Sequence, residues 1–135
     1  MIEINNLTAV RIDEEFLREI SQKVLKEEKR KKANLSVALV GQRRIRELNK
    51  KYRGKNRVTD VLSFPDGEMG LGEIVICPGE VKRNAKRFNL TFEKELVRVL
   101  IHGILHLLGY GHEKSETETK KIEEKQNYYL LQLKI

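Results

Sequence analysis

Residues 96–108 read Leu-Val-Arg-Val-Leu-Ile-His-Gly-Ile-Leu-His-Leu-Leu and form the longest apolar-rich stretch of the 135-residue chain. The stretch contains Arg98 and two histidines, and it is shorter than the roughly 20 apolar residues that a helix needs to cross a bilayer. It therefore predicts a buried helix at the centre of a globular domain, and no membrane partner is expected.

The segments around this helix show alternating strand and helix patterns. Strands are predicted over residues 2–5, 35–40, 61–64 and 72–77, with breaks at Gly41, at Pro65-Asp66-Gly67 and at Pro78-Gly79. Helices are predicted from Glu14 to about Lys31 behind the cap Asp13, over a short segment with the buried stripe Ile45, Leu48 and Tyr52, from Pro78 to about Phe88, from Thr91 to Gly109, and from Ser115 to about Leu133. The order β-α-β-α-β-β-α-α-α predicts a single α/β (α+β) domain over residues 1–135, with a small mixed four-stranded sheet covered by about five helices. The strand order within the sheet does not follow from the sequence.

Composition and cysteine content limit the class of protein. The chain is 39% hydrophobic and 35% charged, which excludes a disordered chain. The first residues lack the basic start and apolar middle of a secretory signal, so a cytoplasmic location is expected. The single cysteine, Cys77, excludes an internal disulfide. Because it follows Ile74, Val75 and Ile76, it is predicted to be an inert packed thiol rather than a metal ligand.

The positive charge of the chain is concentrated in one segment, residues 42–57. Basic and acidic residues are equal in number elsewhere, so this segment carries the whole excess of +7. A local field of this kind attracts polyanions, chiefly nucleic acid, and the alternative is a solvated helix face. The predicted RNA-binding residues are Arg43, Arg44, Arg46, Lys50, Lys51, Arg53, Lys55 and Arg57.

All three histidines of the protein lie close together, at positions 102, 106 and 112. Residues four apart on a helix lie on one face, so His102 and His106 can reach the same ion. Gly109 can end the helix in a left-handed conformation and let the chain reverse, which would bring His112 to the same point. The pattern predicts a three-histidine metal site at the end of the central helix. A His-x-x-x-His pair alone often does not bind a metal. The third histidine is the feature that favours a metal site.

Three protein ligands leave a coordination position open, as in catalytic zinc sites. One zinc ion per chain is therefore expected, although three imidazoles would also accept nickel or copper. No small-molecule cofactor is expected. The spacing also matches the metzincin peptidase pattern, but Gly103 occupies the place of the glutamate that serves as general base there. This difference makes a metal-dependent peptidase a remote alternative.

With these histidines and three further motifs, the sequence resembles the YbeY family of bacterial rRNA-maturation endoribonucleases. These motifs are residues 52–56 (Tyr-Arg-Gly-Lys-Asn), residues 59–65 (Thr-Asp-Val-Leu-Ser-Phe-Pro) and residues 72–74 (Gly-Glu-Ile). The likeness covers nearly the whole chain and is strongest from Leu48 to His112. It implies a zinc-dependent, single-strand-specific endoribonuclease that acts in 16S rRNA maturation and ribosome quality control, with RNA and the small ribosomal subunit as partners.

The resemblance also implies roles for individual residues. His102, His106 and His112 match the zinc ligands, and Arg53 matches the functional arginine, so the predicted catalytic set is Arg53, His102, His106 and His112. A guanidinium can grip a phosphate bidentately and stabilise charge developing on it. The alternative for Arg53 is one more surface charge. Three positions depart from the common pattern, namely Asn56, Val58 and Glu73, and leave the details of the cleft wall open.

Some points stay open at the level of sequence. The nucleophile is either water or the 2′-hydroxyl, and no general base is identified, although Glu113 is close in sequence. A non-enzymatic ribosome assembly factor that contains zinc and binds rRNA is the rival reading. The cleavage site, the partner proteins and the oligomeric state do not follow from the sequence.

Overall fold

The computed structural model describes residues 1–66, 70–111 and 115–134. Gly67, in the predicted turn, lies outside these residues. Strands and helices follow one another in the predicted order: β1 (Ile2–Asn6), α1 (Glu14–Glu27), β2 (Leu35–Leu39), α2 (Gln42–Arg53), β3 (Val61–Pro65), β4 (Gly72–Ile76), α3 (Pro78–Arg87), α4 (Phe92–Leu107) and α5 (Glu116–Gln132). The predicted α+β class and the boundaries of most elements are confirmed.

The four strands form one mixed sheet in the order β1-β2-β4-β3. Strands β1, β2 and β4 run parallel, and β3 pairs with β4 in the antiparallel direction. Strands β1 and β3 are therefore the edges. Pro65, which cannot donate to a ladder, ends the edge strand β3, where this is tolerated.

The two faces of the sheet are covered unequally. Because side chains alternate along a strand, Ile74 and Ile76 of β4 join the main core, which α1, α3, α4 and α5 share. Val75 points to the opposite face and forms a smaller core with Cys77 and with Ile45 of α2. The predicted burial of Cys77 is confirmed, and burial raises the pKa of its thiol. Only α2 covers this second face among the helices of the described chain.

Helix α4 lies within the main core, and most of its residues from Glu95 to Leu105 are buried. Its one basic residue in this stretch, Arg98, is compensated by two hydrogen bonds to the fully buried Glu95, at 2.7 and 2.8 Å. The Thr91 side chain accepts from the Lys94 N–H and caps the start of the helix. Among the described helices, this one included, none has both the length and the apolar character that a membrane crossing demands.

The end of α4 is fixed by Gly109, as predicted. Gly109 has φ +107°, a conformation that favours glycine. Its N–H donates to the His106 carbonyl at 3.1 Å, and the Tyr110 N–H donates to the Leu105 carbonyl at 3.0 Å. These two bonds form a Schellman motif, which satisfies carbonyls at the helix end and turns the chain.

Two local predictions were wrong. Helix α1 ends at Glu27 rather than near Lys31, because Lys29 adopts φ +62° and the Arg30 N–H bonds back to the Leu25 carbonyl at 2.7 Å. Tyr52 was predicted to be buried, but it is 56% exposed. It lies in the last turn of α2, where its ring makes an edge-to-face contact with Phe64 and is not enclosed by the smaller core.

Candidate active site

Two histidines project from the last turns of α4. His102 and His106 are both half-buried, and their ring centroids lie 4.5 Å apart at an interplanar angle of 68°. Positions four apart on a helix place side chains on the same face, which explains the close approach. The structure thus brings two of the three predicted metal ligands together.

The orientation of His102 is set by a residue that the sequence reading missed. Nδ1 of His102 makes a short hydrogen bond with the side-chain oxygen of Gln126 on α5. With the amide oxygen facing the ring, this bond forms in the tautomer that has its proton on Nδ1, which leaves Nε2 for a metal, as is usual for metal-bound histidines. A sequence signal existed, because Gln126 interrupts the buried stripe of α5 formed by Ile122, Tyr129 and Leu130.

Gly111 lies close against the second histidine. It has φ +78°, and a Cβ built on it would lie 2.9 Å from Cε1 of His106. Glycine is therefore favoured here for both its backbone conformation and its small size. The next two residues, His112 and Glu113, lie outside the described residues, so the predicted third ligand and the nearby carboxylate have no structural assignment.

Arg53 and the two histidines line the same cleft. The cleft has a volume of about 500 Å³, and its remaining walls come from β3 and from the end of α4 at Leu107 and Gly111. Arg53, the last residue of α2, donates from Nη2 to the Ser63 carbonyl of the edge strand at 3.1 Å. A guanidinium has several further N–H donors that can bind a phosphate.

A second depression opens on the other side of the histidine pair. It has a volume of about 910 Å³ and is walled by the first turns of α5, including Thr119, Lys120 and Glu124. His102, His106 and Gly111 line both depressions. The histidines therefore lie where the two meet, and they are accessible from the β3 side and from the α5 side.

The basic segment covers the exposed surface of α2 and the loop after it. All eight predicted RNA-binding cations are exposed. The loop is folded back on the helix, because the Asn49 side chain donates to the Arg57 carbonyl at 3.0 Å and Nε of Arg46 donates to Asn56 at 2.9 Å. Only Arg53 of the eight lines the histidine cleft.

Gly103 lies in a tight contact between α4 and β4. A Cβ at this position would lie 3.0 to 3.3 Å from three side-chain atoms of Ile74, because α4 packs directly on β4 here. A side chain at this position would press on Ile74 in the contact between helix and sheet. This packing argues against the peptidase alternative on steric grounds.

Comparisons with known proteins agree with this architecture. A model of the family described as Endoribonuclease YbeY matches residues 3–134. The chain is 51% identical over 106 residues to Endoribonuclease YbeY of Thermodesulfovibrio yellowstonii. The match covers 74% of this chain and 67% of that protein. Endoribonuclease YbeY of Thermotoga neapolitana is 47% identical over 118 residues, 86% of this chain and 79% of that protein.

The chain belongs to the YbeY family. The solution structure of TM1509 from Thermotoga maritima matches with a TM-score of 0.73 at 44% identity, and the match covers 96% of this chain and 87% of that one. The YbeY fold is therefore shared over nearly the entire chain, and the resemblance read from the sequence is confirmed.

The donor set of this YbeY chain suits a zinc ion. Two imidazoles on one helix face, one of them oriented by an amide oxygen, are the kind of ligands that zinc prefers. Within residues 1–66, 70–111 and 115–134, no group of three His, Cys, Asp or Glu side chains lies close enough to hold an ion. The set predicted from sequence needs His112 to be complete.

Proposed function

We propose that this protein is a zinc-dependent endoribonuclease that cuts single-stranded RNA and acts in 16S rRNA maturation, including 3′-end processing, and in ribosome quality control. One observation carries the proposal. Arg53, His102 and His106 line a single cleft beside an exposed basic surface, in a chain whose relatives are named endoribonucleases.

The basic surface supplies the first step, which is capture of the strand. Eight exposed cations on α2 and its loop attract the phosphate backbone regardless of base sequence. Three of them, Lys50, Lys51 and Arg53, lie in the last turn of α2, where the helix dipole favours positive charge. The strand is thereby drawn toward the end of the helix that borders the histidine cleft.

Arg53 holds the scissile phosphate in this scheme. Its bond to the Ser63 carbonyl restrains the side chain at the cleft wall, so less conformational freedom is lost when a phosphate binds. A guanidinium in this position donates to two phosphate oxygens at once and stabilises the charge that builds up on them during cleavage. Lysine, a point charge on a flexible stem, does this less well.

His102, His106 and His112 would hold the metal. Zinc bound there would lower the pKa of water to about 7 and polarise a phosphoryl oxygen. The Gln126 amide keeps the His102 ring oriented for this, and Gly111 leaves space for the His106 ring. The nucleophile is water or the 2′-hydroxyl, and a 2′,3′-cyclic phosphate among the products would rule out direct attack by water.

The test is cleavage of an end-labelled single-stranded RNA by the purified, zinc-loaded protein. His106→Ala and an exposed control on α1, Lys26→Ala, are purified identically and checked for folding. We expect wild type and Lys26→Ala to cut the RNA and His106→Ala to leave it intact. Equal cutting by all three would reveal a contaminating nuclease and remove the basis for the activity.

The rival reading, a zinc-containing assembly factor without activity, predicts a different pattern. All three proteins would then bind RNA and none would cut it. In addition, a structural zinc ion contributes directly to folding, so a chelator would lower the melting temperature strongly. A small loss of melting temperature combined with complete loss of cleavage supports the catalytic role.

A further inference from the structure

An exposed aromatic ring lies in the most basic part of the surface. Tyr52 is 56% exposed, and its neighbours on α2 are charged residues. Its ring contacts Phe64 of β3 edge to face, with centroids 5.3 Å apart at 67°, and Nζ of Lys51 lies 5.2 Å from its centroid. Burial in the core does not account for this tyrosine, so another role has to be considered.

Two neighbouring contacts fix the last turn of α2 on the edge strand. Tyr52 meets Phe64, and the next residue, Arg53, bonds to the carbonyl of Ser63. Ser63 lines the histidine cleft together with its neighbours on β3, whereas Phe64 packs on the smaller core and lines a separate groove. The groove and the cleft are thus held in a fixed relation by one strand.

The groove has the size and the lining of a small ligand site. Its volume is about 390 Å³, within the range of ligand pockets, and its floor is formed by apolar side chains of β2, α2 and β4. Tyr52 and Phe64 form its aromatic wall, and Arg44 and Glu73 supply one charge of each sign. An apolar floor alone would accept many ligands, but the surrounding cations favour an anionic one.

We propose that this groove binds a nucleobase of the RNA strand whose phosphate is held in the histidine cleft; this inference rests on the proposed function. A ligand that combines negative charge with a flat aromatic group matches both the exposed cations of α2 and the aromatic wall of the groove, and single-stranded RNA has both. Base stacking on an aromatic side chain is tolerant of sequence. Bases inside a duplex cannot reach such a wall, so the groove also gives a physical reason for a preference for single strands.

The experiment separates stacking from charge. Binding of a labelled single-stranded RNA is measured by anisotropy over a range of salt concentrations, with EDTA present to prevent cutting. The same binding measurement is made with a strand of equal length in which abasic nucleotides replace the ordinary nucleotides. The variants are Tyr52→Leu, which keeps apolar packing on Phe64, Tyr52→Phe, which keeps the ring, and Lys55→Ala, which removes one exposed charge of the same segment.

We expect Tyr52→Leu to bind the base-bearing RNA roughly 10- to 100-fold more weakly, with no change for the abasic strand and no change in salt dependence. Tyr52→Phe should bind nearly as wild type. Lys55→Ala should weaken binding of both strands and reduce the slope of log affinity against log salt by about 0.7. Melting temperatures show whether each variant is folded.

Two results would overturn the base site. If Tyr52→Leu binds the base-bearing RNA as tightly as wild type, the groove serves another occupant, such as an apolar side chain of a protein. If it loses affinity equally for both strands, Tyr52 does not contact a base. In either case cleavage by wild type would leave the nuclease proposal intact, whereas wild type that neither binds nor cuts RNA removes the proposed function itself.

Discussion

At the scale of single residues, a side chain from a helix distant in sequence orients the His102 ring. Gln126 of α5 accepts the Nδ1–H of this histidine, and the two residues are separated by 24 positions in the chain. The amide is neutral, so it fixes the ring without adding a charge to the cleft. Partners of this kind usually matter nearly as much as the ligands themselves for metal affinity.

Replacing Gln126 by alanine is expected to weaken zinc binding by roughly 10- to 100-fold, because the His102 ring loses the acceptor that orients it. Affinity is measured by competition with a chromophoric chelator. The matched control is Asn127→Ala, an exposed position on the same helix, which should leave affinity unchanged. Equal affinity of Gln126→Ala and wild type would mean that the bond has no role in metal binding.

Arg53 is predicted to act on the transition state more than on binding. Arg53→Lys keeps the charge but loses the paired donors, so we expect kcat for RNA cleavage to fall roughly 100-fold while KM changes little. Lys50→Ala, which removes an exposed cation outside the histidine cleft, should raise KM and leave kcat near wild type. If Arg53→Lys changes KM alone, Arg53 only contributes to binding of the RNA phosphate backbone.

At the scale of elements, the end of α4 and the turn after it shape the site. The Schellman motif at Gly109 stops the helix directly after the second histidine, and Gly111 then passes close beside the His106 ring. Both glycines have positive φ. The turn therefore depends on two residues without side chains, and a side chain at the second of them would press on the His106 ring.

Gly111→Ala tests this turn against Gly54→Ala at the end of α2. Both glycines have positive φ, so each substitution should cost roughly 1–2 kcal/mol of unfolding free energy, measured by urea titration. A Cβ at Gly54 meets no atom within 4 Å, whereas one at Gly111 would press on His106. Only Gly111→Ala should therefore also weaken zinc binding, and equal zinc affinities would contradict this account of the turn.

At the scale of the whole molecule, Glu28 connects three distant parts of the chain. It follows α1, and its carboxylate accepts hydrogen bonds from Tyr110 after α4, at 2.8 Å, and from Tyr129 and Lys125 of α5. Only 9% of the side chain is exposed. Burial alone would raise the pKa of Glu28, but these hydrogen bonds outweigh it and lower the pKa below its ordinary value.

The lowered pKa predicts how stability depends on pH. A carboxyl group with a lower pKa in the folded state stabilises the fold above its unfolded pKa of about 4.3, and this contribution is lost as the pH falls through the folded pKa. Glu28→Gln should therefore cost about 1–3 kcal/mol at pH 7, and the difference from wild type should shrink in acid. Urea titrations from pH 7 to pH 3 measure the difference in unfolding free energy at pH 7 and its decrease in acid. EDTA is present to exclude metal effects.

Glu27→Gln is the control for this prediction. The neighbouring carboxylate bonds only to the exposed hydroxyl of Tyr128 among the side chains of the described chain, so its removal should change stability little. If Glu28→Gln and wild type show the same dependence on pH, the carboxylate does not connect α1 with α5 energetically.

The sequence by itself determined which segments form helices and strands, because those choices depend on local periodicity and on breakers such as Gly41, Gly54 and Gly109. It also located the histidines and the basic segment, since spacing along one helix and charge along one segment are local properties. The end of α1 was mispredicted because Lys29 adopts a positive φ, which a non-glycine residue rarely does, and the exposure of Tyr52 was mispredicted because it depends on how α2 packs on β3.

Only the tertiary structure decided which strands and which side chains are neighbours in space. The strand order β1-β2-β4-β3 makes β3 an edge, and this places Arg53 of α2 in the same cleft as the histidines of α4. The packing of α5 brings Gln126 to His102, and that of α4 on β4 closes the space at Gly103. These relations join residues far apart in the chain, and their energies depend on how whole elements pack, which no local pattern records.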